Sequence, residues 1–333
     1  MANVTMRDIG RITGVSAVTV SKALAGKSGM SEETRQRIIH VAREMGYVNP
    51  GAGQSSTARS LDVGILIPDQ FFSPESFYAA LYMDLVQALT DDGHFGILEM
   101  LSAESEARLA LPHLITGRQV DVLVMLGQPG KAYRQMLATQ ETPVIFMDFH
   151  DTSIKADAVV GDNFCGAARL TDHLIERGHR DIGFVGYVRA TSSIMERYTG
   201  YASAMILAGL PLRRDLLFRD RDEQGNFLPL VLPEKRPTAL VCHCDEAAAR
   251  VIEQLQAQGI RVPEDISVTG YDDFLPGGPV TPALTTFRMD RQAMVQAAIR
   301  LIRSRSSDVK TPLGRMVVGG ELICRDSVKT LET

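Results

Sequence analysis

The sequence predicts a small all-α helix-turn-helix domain followed by an α/β body made of two lobes, each built on a doubly wound parallel sheet. Three observations predict this fold class. The first sixty residues contain three helical segments with recognisable caps and a glycine between the first two. Beyond residue 62, short β-branched runs alternate with helices that end at glycine. Seven such runs are too many for one small sheet, so we expect two consecutive lobes.

The first helix begins at a capping box. In "TMRD", Thr5 can cap the helix, and Asp8, three residues later, can bond back to the cap. Gly14 supplies a tight turn after this helix. Ser16 can then cap a second helix, which ends near Leu24. Two short helices joined by a glycine-containing turn are therefore predicted.

A third helix follows another serine cap. Ser31 precedes two glutamates that complement the positive N-terminal end of the helix. The helix continues to Met45 and Gly46 stops it, while Ile38 and Met45 fall on its apolar face. Three helices around one small core, with a turn between the first two, are typical of a helix-turn-helix module.

Charge is distributed unevenly along the chain. Residues 1–60 contain eight Lys or Arg and four Asp or Glu, giving +4, and since the whole chain has −5, the remainder carries −9. A basic end on an acidic body is expected where one end meets phosphates. A solvated charged face would give the same count, so charge alone leaves both interpretations open.

Composition favours a cytoplasmic protein. No apolar run approaches the ~18 residues that span a membrane, and the N-terminus lacks the basic and apolar regions of a secretory signal. The four cysteines, at 165, 242, 244 and 324, form no disulfide-like framework, which suits a reducing compartment.

The second helix, within "GVSAVTVSKAL", has one buried and one polar face. Val20 and Leu24, four residues apart, share the buried face, and positions 17, 18, 21 and 22 fall opposite. In a helix-turn-helix module the second helix enters the DNA major groove. Lys22 can donate to guanine, and Ala17 and Val18 can touch a thymine methyl. The alternative is a three-helix fragment without a ligand.

The run from residue 6 to 50, with "GVS…TVS.AL", "SEETR.RI" and a closing "GY", resembles the DNA-binding headpiece of the LacI/GalR family of bacterial transcription regulators. The resemblance implies that positions 17, 18 and 22 are the main base readers, while short hydroxyls suit phosphate contacts. The predicted DNA-binding residues are Thr5, Ser16, Ala17, Val18, Thr19, Ser21, Lys22, Ser31, Thr34, Tyr47 and Gln54.

Residues 47–61, "YVNPGAGQSSTARSL", predict a linker between a DNA-binding domain over 1–46 and a body over 62–333. In the family this stretch forms a hinge helix on operator DNA and inserts a leucine into the minor groove. Ser56 stands at that position here, and Gly51 and Gly53 each weaken a helix by about 1 kcal/mol. We therefore expect a weaker operator kink than in relatives that have the leucine.

The body contains the seven β-branched runs. Helices between them stop at glycines in "QALTDDGHFGI", "DHLIERGHRDIGF" and "EQLQAQGIRVPEDISV", a βα repeat. The predicted strands are "VGILI" (63–67), "FGILEM" (95–100), "DVLVM" (121–125), "VIFM" (144–147), "DIGFVG" (181–186), "TALVC" (238–242) and "ISVTG" (266–270).

Four further stretches, 161–186, 196–210, 244–273 and 284–290, make the body similar to the type I periplasmic-binding-protein-like effector domain of the same family. That architecture implies a ligand cleft between two lobes and three chain crossings, here near 162, 288 and 321. The implied N-lobe covers 62–162 and 289–320, and the C-lobe covers 163–288 and 321–333.

Polar residues at strand ends suggest what the cleft binds. Asp148 and Asp272 follow predicted strands, where ligands bind in open α/β sheets, and Arg197 lies near a helix start. Two carboxylates and one guanidinium suit the hydroxyls of a sugar. The resemblance assigns ligand contacts to these three positions, with Ser193 close by. The alternative for Arg197 is a pair with Glu196 on a solvated helix surface.

Aromatic residues after the first strand extend this hypothesis. Phe71, Phe72 and Phe77 can stack on an apolar sugar face or serve packing alone. Cys244 stands where asparagine is frequent in the family, which changes the hydrogen bonds to one sugar edge. The predicted effector-binding residues are Phe71, Phe72, Asp148, Ser193, Arg197, Cys244 and Asp272.

Metal and enzyme functions are not predicted. In "CHCDE", strand alternation would point Cys242 and Cys244 one way and His243 the other, so two ligands at most converge. No HExxH, GxGxxG after a strand, P-loop or nucleophile elbow occurs in the sequence. We therefore expect no metal, no cofactor and no catalytic residues.

These observations together predict a sugar-responsive DNA-binding transcription regulator, most simply a repressor. A homodimer fits near-palindromic operators, and Tyr78, Tyr82 and Val86 on a second apolar face of the helix over 76–90 could form its interface. The rival function is a sugar-binding protein of the transport type. That rival requires a secretion signal and no headpiece.

Overall fold

The computed structural model describes residues 4–24, 30–45, 59–223, 225–275, 278–306 and 314–332. The chain divides into two compact units, Met1–Ser60 and Leu61–Thr333. Several residues of the predicted linker and helix stop lie outside the described residues: Gly46, Tyr47, Gly51, Gly53, Gln54 and Ser56. Among the residues that are described, no helix combines the length and the apolar character needed to cross a membrane.

The first unit contains helices α1 (Met6–Thr13), α2 (Ala17–Leu24) and α3 (Glu32–Glu44), as the sequence predicts. The capping box of α1 is confirmed: the Thr5 backbone N–H donates to Asp8 at 3.0 Å. Gly14 adopts a φ of 72°, a left-handed conformation that glycine adopts without steric cost. The predicted start of α1 and the turn after it are therefore both present.

The remaining two caps are hydroxyls that accept from a backbone N–H. Ser16 accepts from Thr19 at 3.1 Å, and Ser31 accepts from Thr34 at 3.3 Å, so all three helices begin at predicted caps. The helices enclose one small core, whose fully buried or nearly buried members are Ile9, Val20, Ala23, Ile38 and Ala42.

The second unit is made of alternating strands and helices. Its strands are β1 (Asp62–Pro68), β2 (Phe95–Leu101), β3 (Val122–Leu126), β4 (Val144–Met147), β5 (Asp157–Gly161), β6 (Ile182–Val185), β7 (Leu217–Phe218), β8 (Ala239–Cys242), β9 (Ser267–Asp272), β10 (Thr285–Met289), β11 (Arg315–Val318) and β12 (Gly320–Ile323). Its helices are α4 (Phe77–Asp91), α5 (Ala103–Ala107), α6 (His113–Thr116), α7 (Lys131–Ala138), α8 (Asn163–Glu176), α9 (Ser192–Leu207), α10 (Asp245–Ala257) and α11 (Arg291–Ser306).

The described strands form two six-stranded sheets, which confirms the two-lobed α/β fold class. The first sheet has the order β11-β5-β4-β3-β1-β2 and the second has the order β12-β10-β9-β8-β6-β7. Neighbouring strands are parallel throughout, except that β10 and β12 are antiparallel. We call the units built on these sheets the first lobe and the second lobe.

All seven predicted runs are strands, and β5, β7, β10, β11 and β12 were not predicted. The missed strands are short or carry polar residues, so they lack the apolar run that identified the others. The chain passes from the first sheet to the second between β5 and α8, returns between β10 and α11, and crosses again between β11 and β12. The limits of the two lobes as predicted from the sequence stay a prediction.

Apolar side chains cover both faces of each sheet. In the first lobe, α4 and α11 pack on one face, where Leu81, Leu85 and Leu89 are fully buried. In the second lobe, α8 and α9 lie so close that a Cβ on Gly200 would stand 2.1 Å from the carbonyl oxygen of Phe164. Glycine in the middle of α9 therefore allows the backbones of α8 and α9 to approach each other closely.

The second face of α4 is engaged within its own lobe. The Tyr78 hydroxyl donates to Asp148 at 2.8 Å, and the Tyr82 ring meets Phe72 edge-on at 6.2 Å. Val86 packs against the first-lobe core. The Tyr78 hydroxyl is directed into the interior, while all three side chains remain only partly buried, and the dimer face over Tyr78, Tyr82 and Val86 stays a prediction.

Candidate functional site

The two faces of α2 are separated as the sequence predicts. Val20 is fully buried, whereas Val18 is 66% exposed although it is apolar. Ser21 and Lys22 are also exposed, and Ala17 is half-buried. An exposed valine beside a lysine leaves this face of α2 open to a ligand such as a DNA groove.

The hydroxyls predicted to contact phosphate also maintain the helix ends. The Ser16 and Thr19 hydroxyls lie 2.9 Å apart, and those of Ser31 and Thr34 lie 2.8 Å apart. Thr5 donates its hydroxyl to Asp8 at 2.6 Å. These caps shape helix N-termini, where backbone N–H groups favour phosphate.

A cavity of about 300 Å³ lies between the two lobes. The first lobe contributes an aromatic side from the segment after β1 and from α4, and the second lobe contributes most of the charged groups. All seven predicted effector-binding residues line the cavity: Phe71, Phe72, Asp148, Ser193, Arg197, Cys244 and Asp272.

Arg197 lies at the centre of the polar side of this cavity. Its guanidinium donates to Asp272 at 3.1 Å, to Asn163 at 2.8 Å and to the carbonyl of His243 at 2.5 Å. It also lies 3.8 Å from the ring centre of Tyr271. Arg197 is only 5% exposed, which excludes the alternative of a solvated surface pair.

Asp148 follows β4 and has an unused acceptor. Its φ of 68° is uncommon for a residue other than glycine, and this backbone turns the carboxyl toward the cavity. One oxygen, Oδ2, accepts from Tyr78 at 2.8 Å. The other, Oδ1, is buried and has no partner among the residues that the structure describes. A buried carboxylate oxygen without a donor favours a ligand that brings one.

Asp272 ends β9, also with positive φ, here 103°. Burial raises the pKa of Asp272 to about 7, the Arg197 guanidinium opposes this shift, and the Asp148 carboxyl adds to it. Burial likewise raises the pKa of Asp148. The physical cause is that burial disfavours the charged form of each carboxyl by more than the Arg197 guanidinium favours it.

The raised pKa of Asp272 leads to a stability prediction with a definite sign. A folded-state pKa of about 7, above the ordinary 3.8, gives a contribution that is full at acid pH and is lost as pH rises through about 7. The thermal midpoint of the wild type minus that of Asp272→Asn, both without sugar, should fall between about pH 4 and about pH 7 and stay level above that. A difference that stays constant over this range would contradict the prediction.

A second buried cluster adjoins the cavity. Asp220 accepts from Arg221 at 2.7 Å and from His243 at 3.0 Å, and these partners hold the pKa of its carboxyl below its usual range. Cys244 caps α10 by accepting from Ala247 at 3.4 Å, and its Sγ lies 3.6 Å from the His243 ring. Burial raises the pKa of the Cys244 thiol.

This arrangement corrects one expectation. His243 and Cys244 both line the cavity, because β8 ends at Cys242 and strand alternation stops there. Within the described ranges, no group of three or more His, Cys, Asp or Glu side chains is placed to hold a metal ion.

Sequence reasoning missed several cavity residues. Phe274 follows Asp272 closely, so its position after a strand was an available signal. Arg221 and Phe227 come from an irregular segment joined by a β-bridge, which no sequence pattern indicates. Other residues that line the cavity and were not predicted include Gln70, Tyr78, His243 and Glu246.

A more open cavity, of about 620 Å³, lies on the other side of Asp272 beside the chain crossings. Its charged groups already have partners: Arg288 donates to Asp273 at 2.8 Å and to Glu321 at 2.7 Å. The smaller cavity is therefore the candidate ligand site, because Oδ1 of Asp148, a buried acceptor, has no partner there among the residues that the structure describes.

Two family descriptions match the chain. Residues 5–49 match the bacterial regulatory proteins of the lacI family. Residues 171–328 match a periplasmic binding protein-like domain.

Curated relatives match along nearly the whole chain. The HTH-type transcriptional repressor PurR of Glaesserella parasuis serovar 5 is 28% identical over 98% of this chain and 99% of its own length. The ribose operon repressor of Haemophilus influenzae is 24% identical over the same shares.

Solved structures agree with the fold. The transcriptional regulator CelR in complex with cellobiose is 25% identical, with a TM-score of 0.69 over 98% of this chain and 100% of that chain. The lac repressor dimer bound to operator and the anti-inducer ONPF is 21% identical, with a TM-score of 0.66 over the same shares.

Proposed function

We propose, for a chain that belongs to the lacI family of bacterial regulatory proteins, that a small neutral sugar in the cavity between the lobes controls its affinity for operator DNA. The chain is a DNA-binding transcription regulator of the repressor type, as its lacI-type domain and its full-length similarity to repressors indicate. The sugar, the residues that bind it and the dimer are the proposed part.

One observation carries the sugar hypothesis: in the described part of the chain, no group donates to Oδ1 of Asp148, a buried carboxylate oxygen of a residue that lines the cavity between the lobes. A sugar hydroxyl can donate to Asp148 while another accepts from Arg197 or donates to Asp272. Two carboxylates around one guanidinium disfavour an anionic ligand, because they would repel it. The cellobiose bound by a solved relative supports the same ligand class.

The aromatic side of the cavity favours a ring-shaped ligand. Phe77 meets Tyr78 at 5.7 Å and Phe274 at 5.8 Å, both edge-on, and Phe71 lies 5.4 Å from Tyr78. Such rings pack against the C–H face of a sugar or against a flat heterocycle. The heterocycle is therefore the second candidate ligand, and a binding screen separates the two.

On the DNA side, we propose that α2 lies in the major groove with Lys22, Val18 and Ala17 at base edges. The proposal rests on the exposure of this face. A homodimer on a near-palindromic operator in the cytoplasm completes the proposed function. The first lobe over 62–162 and 289–320 and the second over 163–288 and 321–333 are the proposed moving parts.

A thermal-shift screen tests the ligand. The panel contains monosaccharides, disaccharides including cellobiose, sugar acids, sugar phosphates and purine-like heterocycles. At about 100 times its Kd, a sugar adds about 2.7 kcal/mol of stability to the folded state. We expect a neutral sugar to raise the midpoint and to change operator binding, and Asp148→Asn to reduce both effects. Stabilisation by heterocycles or anions alone would refute the neutral sugar.

A truncation tests the DNA-binding role against a transport-type sugar-binding protein. The unit Leu61–Thr333 is compact by itself, so removing residues 1–60 should preserve the thermal shift. We expect the full chain to be retained on a DNA column and the truncated chain to pass through. Equal retention of both forms would contradict DNA binding by the first unit.

A further inference from the structure

Glu196 joins the second lobe to the first through a bidentate ion pair. It lies on α9, next to Arg197, and its two carboxylate oxygens meet the two terminal nitrogens of Arg315 at 2.6 and 2.9 Å. Arg315 begins β11, the edge strand of the first sheet. Two parallel hydrogen bonds between a guanidinium and a carboxylate fix the orientation of the two groups. They also add to the attraction between the opposite charges.

Other contacts between the lobes cluster at the same end of α9. The Ser192 backbone N–H donates to the Gln128 side chain at 2.8 Å. The Ser192 hydroxyl accepts from the His150 backbone N–H at 3.1 Å. Gln128 and His150 belong to the first lobe. Two hydrogen bonds therefore connect the start of α9, in the second lobe, to the first lobe.

The pair is also connected to the cavity. The Asn163 side chain donates to Glu196 at 3.2 Å, and its oxygen accepts from Arg197 at 2.8 Å. Asn163 is 1% exposed, so these partners hold both ends of its amide in place. One buried side chain therefore links Arg315 and Glu196 to the guanidinium that faces the ligand cavity.

We propose that Glu196 and Arg315 form a clasp that stabilises the closed arrangement of the lobes and, through Asn163, orients Arg197 for the ligand. This inference rests on the proposed function, because it assigns a regulatory role at the same cavity. Separation of the lobes would break the pair, so it contributes to the closed state alone. A contact present in one state shifts the equilibrium by its own free energy.

The expected size of the effect is moderate. The Glu196 and Arg315 side chains are 19% and 33% exposed, so water and salt screen the pair in part. We expect loss of the clasp to raise the open population about threefold to tenfold, and added salt to reduce the difference from the wild type.

Hydrogen exchange of the full chain without sugar tests the clasp. The amide hydrogens of His150 and Ser192 bond across the cleft, so their exchange reports lobe opening. We expect Glu196→Gln and Arg315→Gln each to speed this exchange about threefold to tenfold, and the double variant to do no more than either. Additive effects or unchanged exchange would overturn the clasp.

Two comparisons keep this result specific. Arg108→Gln removes an exposed pair with Glu104 inside the first lobe and should leave the exchange across the cleft unchanged. Exchange in α4, in the first-lobe core, should not change in any variant, and faster exchange there would mark general unfolding and overturn the clasp as the cause.

A cellobiose titration is measured separately on the same variants. If cellobiose or another sugar of the panel binds while the exchange across the cleft is unchanged in Glu196→Gln, the clasp is wrong and the sugar site stands. If no sugar binds while the exchange is faster, the proposed ligand is wrong and the clasp stands.

Discussion

Replacing Arg197 with alanine is expected to abolish the effect of the sugar on operator binding while operator binding itself survives. The guanidinium is the cation that faces both Asp148 and Asp272 at the cavity, so its removal deletes a ligand donor and the partner of Asp272. The headpiece is a separate compact unit, which this substitution does not touch.

The same substitution should also lower stability. Removing one partner of a buried ion pair typically costs about 3–5 kcal/mol, because the remaining charge is left uncompensated. Part of this cost disappears if Asp272, whose pKa is already raised to about 7, takes up a proton. The measurement is an operator titration with and without the sugar from the screen, together with a thermal melt.

Loss of response through unfolding must be separated from loss of the ligand contact. Asp148→Asn keeps the size of its side chain and should weaken the sugar response with a smaller stability change. Arg108→Ala, at an exposed pair in the first lobe, should leave both properties unchanged. A normal sugar response in Arg197→Ala would remove this residue from the site and weaken the sugar hypothesis.

Replacing Lys22 with alanine is expected to cost about 1–3 kcal/mol on operator DNA and to relax the preference at one base pair. Lys22 lies on the exposed face of α2, where a lysine can donate to the major-groove edge of guanine. The measurement compares Kd on an operator selected from random oligonucleotides with Kd on unselected DNA, at one salt concentration.

A matched variant separates base contact from charge. Arg11→Ala removes one positive charge from an exposed position of α1, beside Asp8. We expect it to weaken binding to both DNAs by a similar, smaller factor. If Lys22→Ala weakens binding to operator and to unselected DNA equally, its base-reading role is refuted.

The sequence alone determined the headpiece. Its caps are bonds between residues three apart in the chain, such as Ser16 with Thr19, so local sequence specifies them without any tertiary contact. The same holds for six of the seven predicted strands of the body, because strands buried on both faces read as apolar runs. The seventh, β2, lies at the edge of its sheet and is partly exposed, yet its sequence is also apolar. The glycines that end α4 and α8, Gly93 and Gly178, were likewise visible, and both have positive φ.

The site was predictable in part. Asp148 and Asp272 follow strands whose position the sequence indicates, and ligands of parallel sheets bind at such ends. The aromatic residues after β1 lie on the same edge of the first sheet for the same reason. The amino-acid sequence therefore identifies the residues at these strand ends, whereas their protonation and their partners depend on burial and on distant segments of the chain.

The remaining features depend on contacts between residues that are far apart along the chain. Arg197 and Asp272 are 75 residues apart, and Glu196 and Arg315 are 119 apart, so no local pattern indicates that they pair. The short edge strands β11 and β12 and the position of Phe227 likewise depend on segments that are distant in the chain. Such segments meet only in the folded protein. Burial there removes competing water, which makes these contacts favourable.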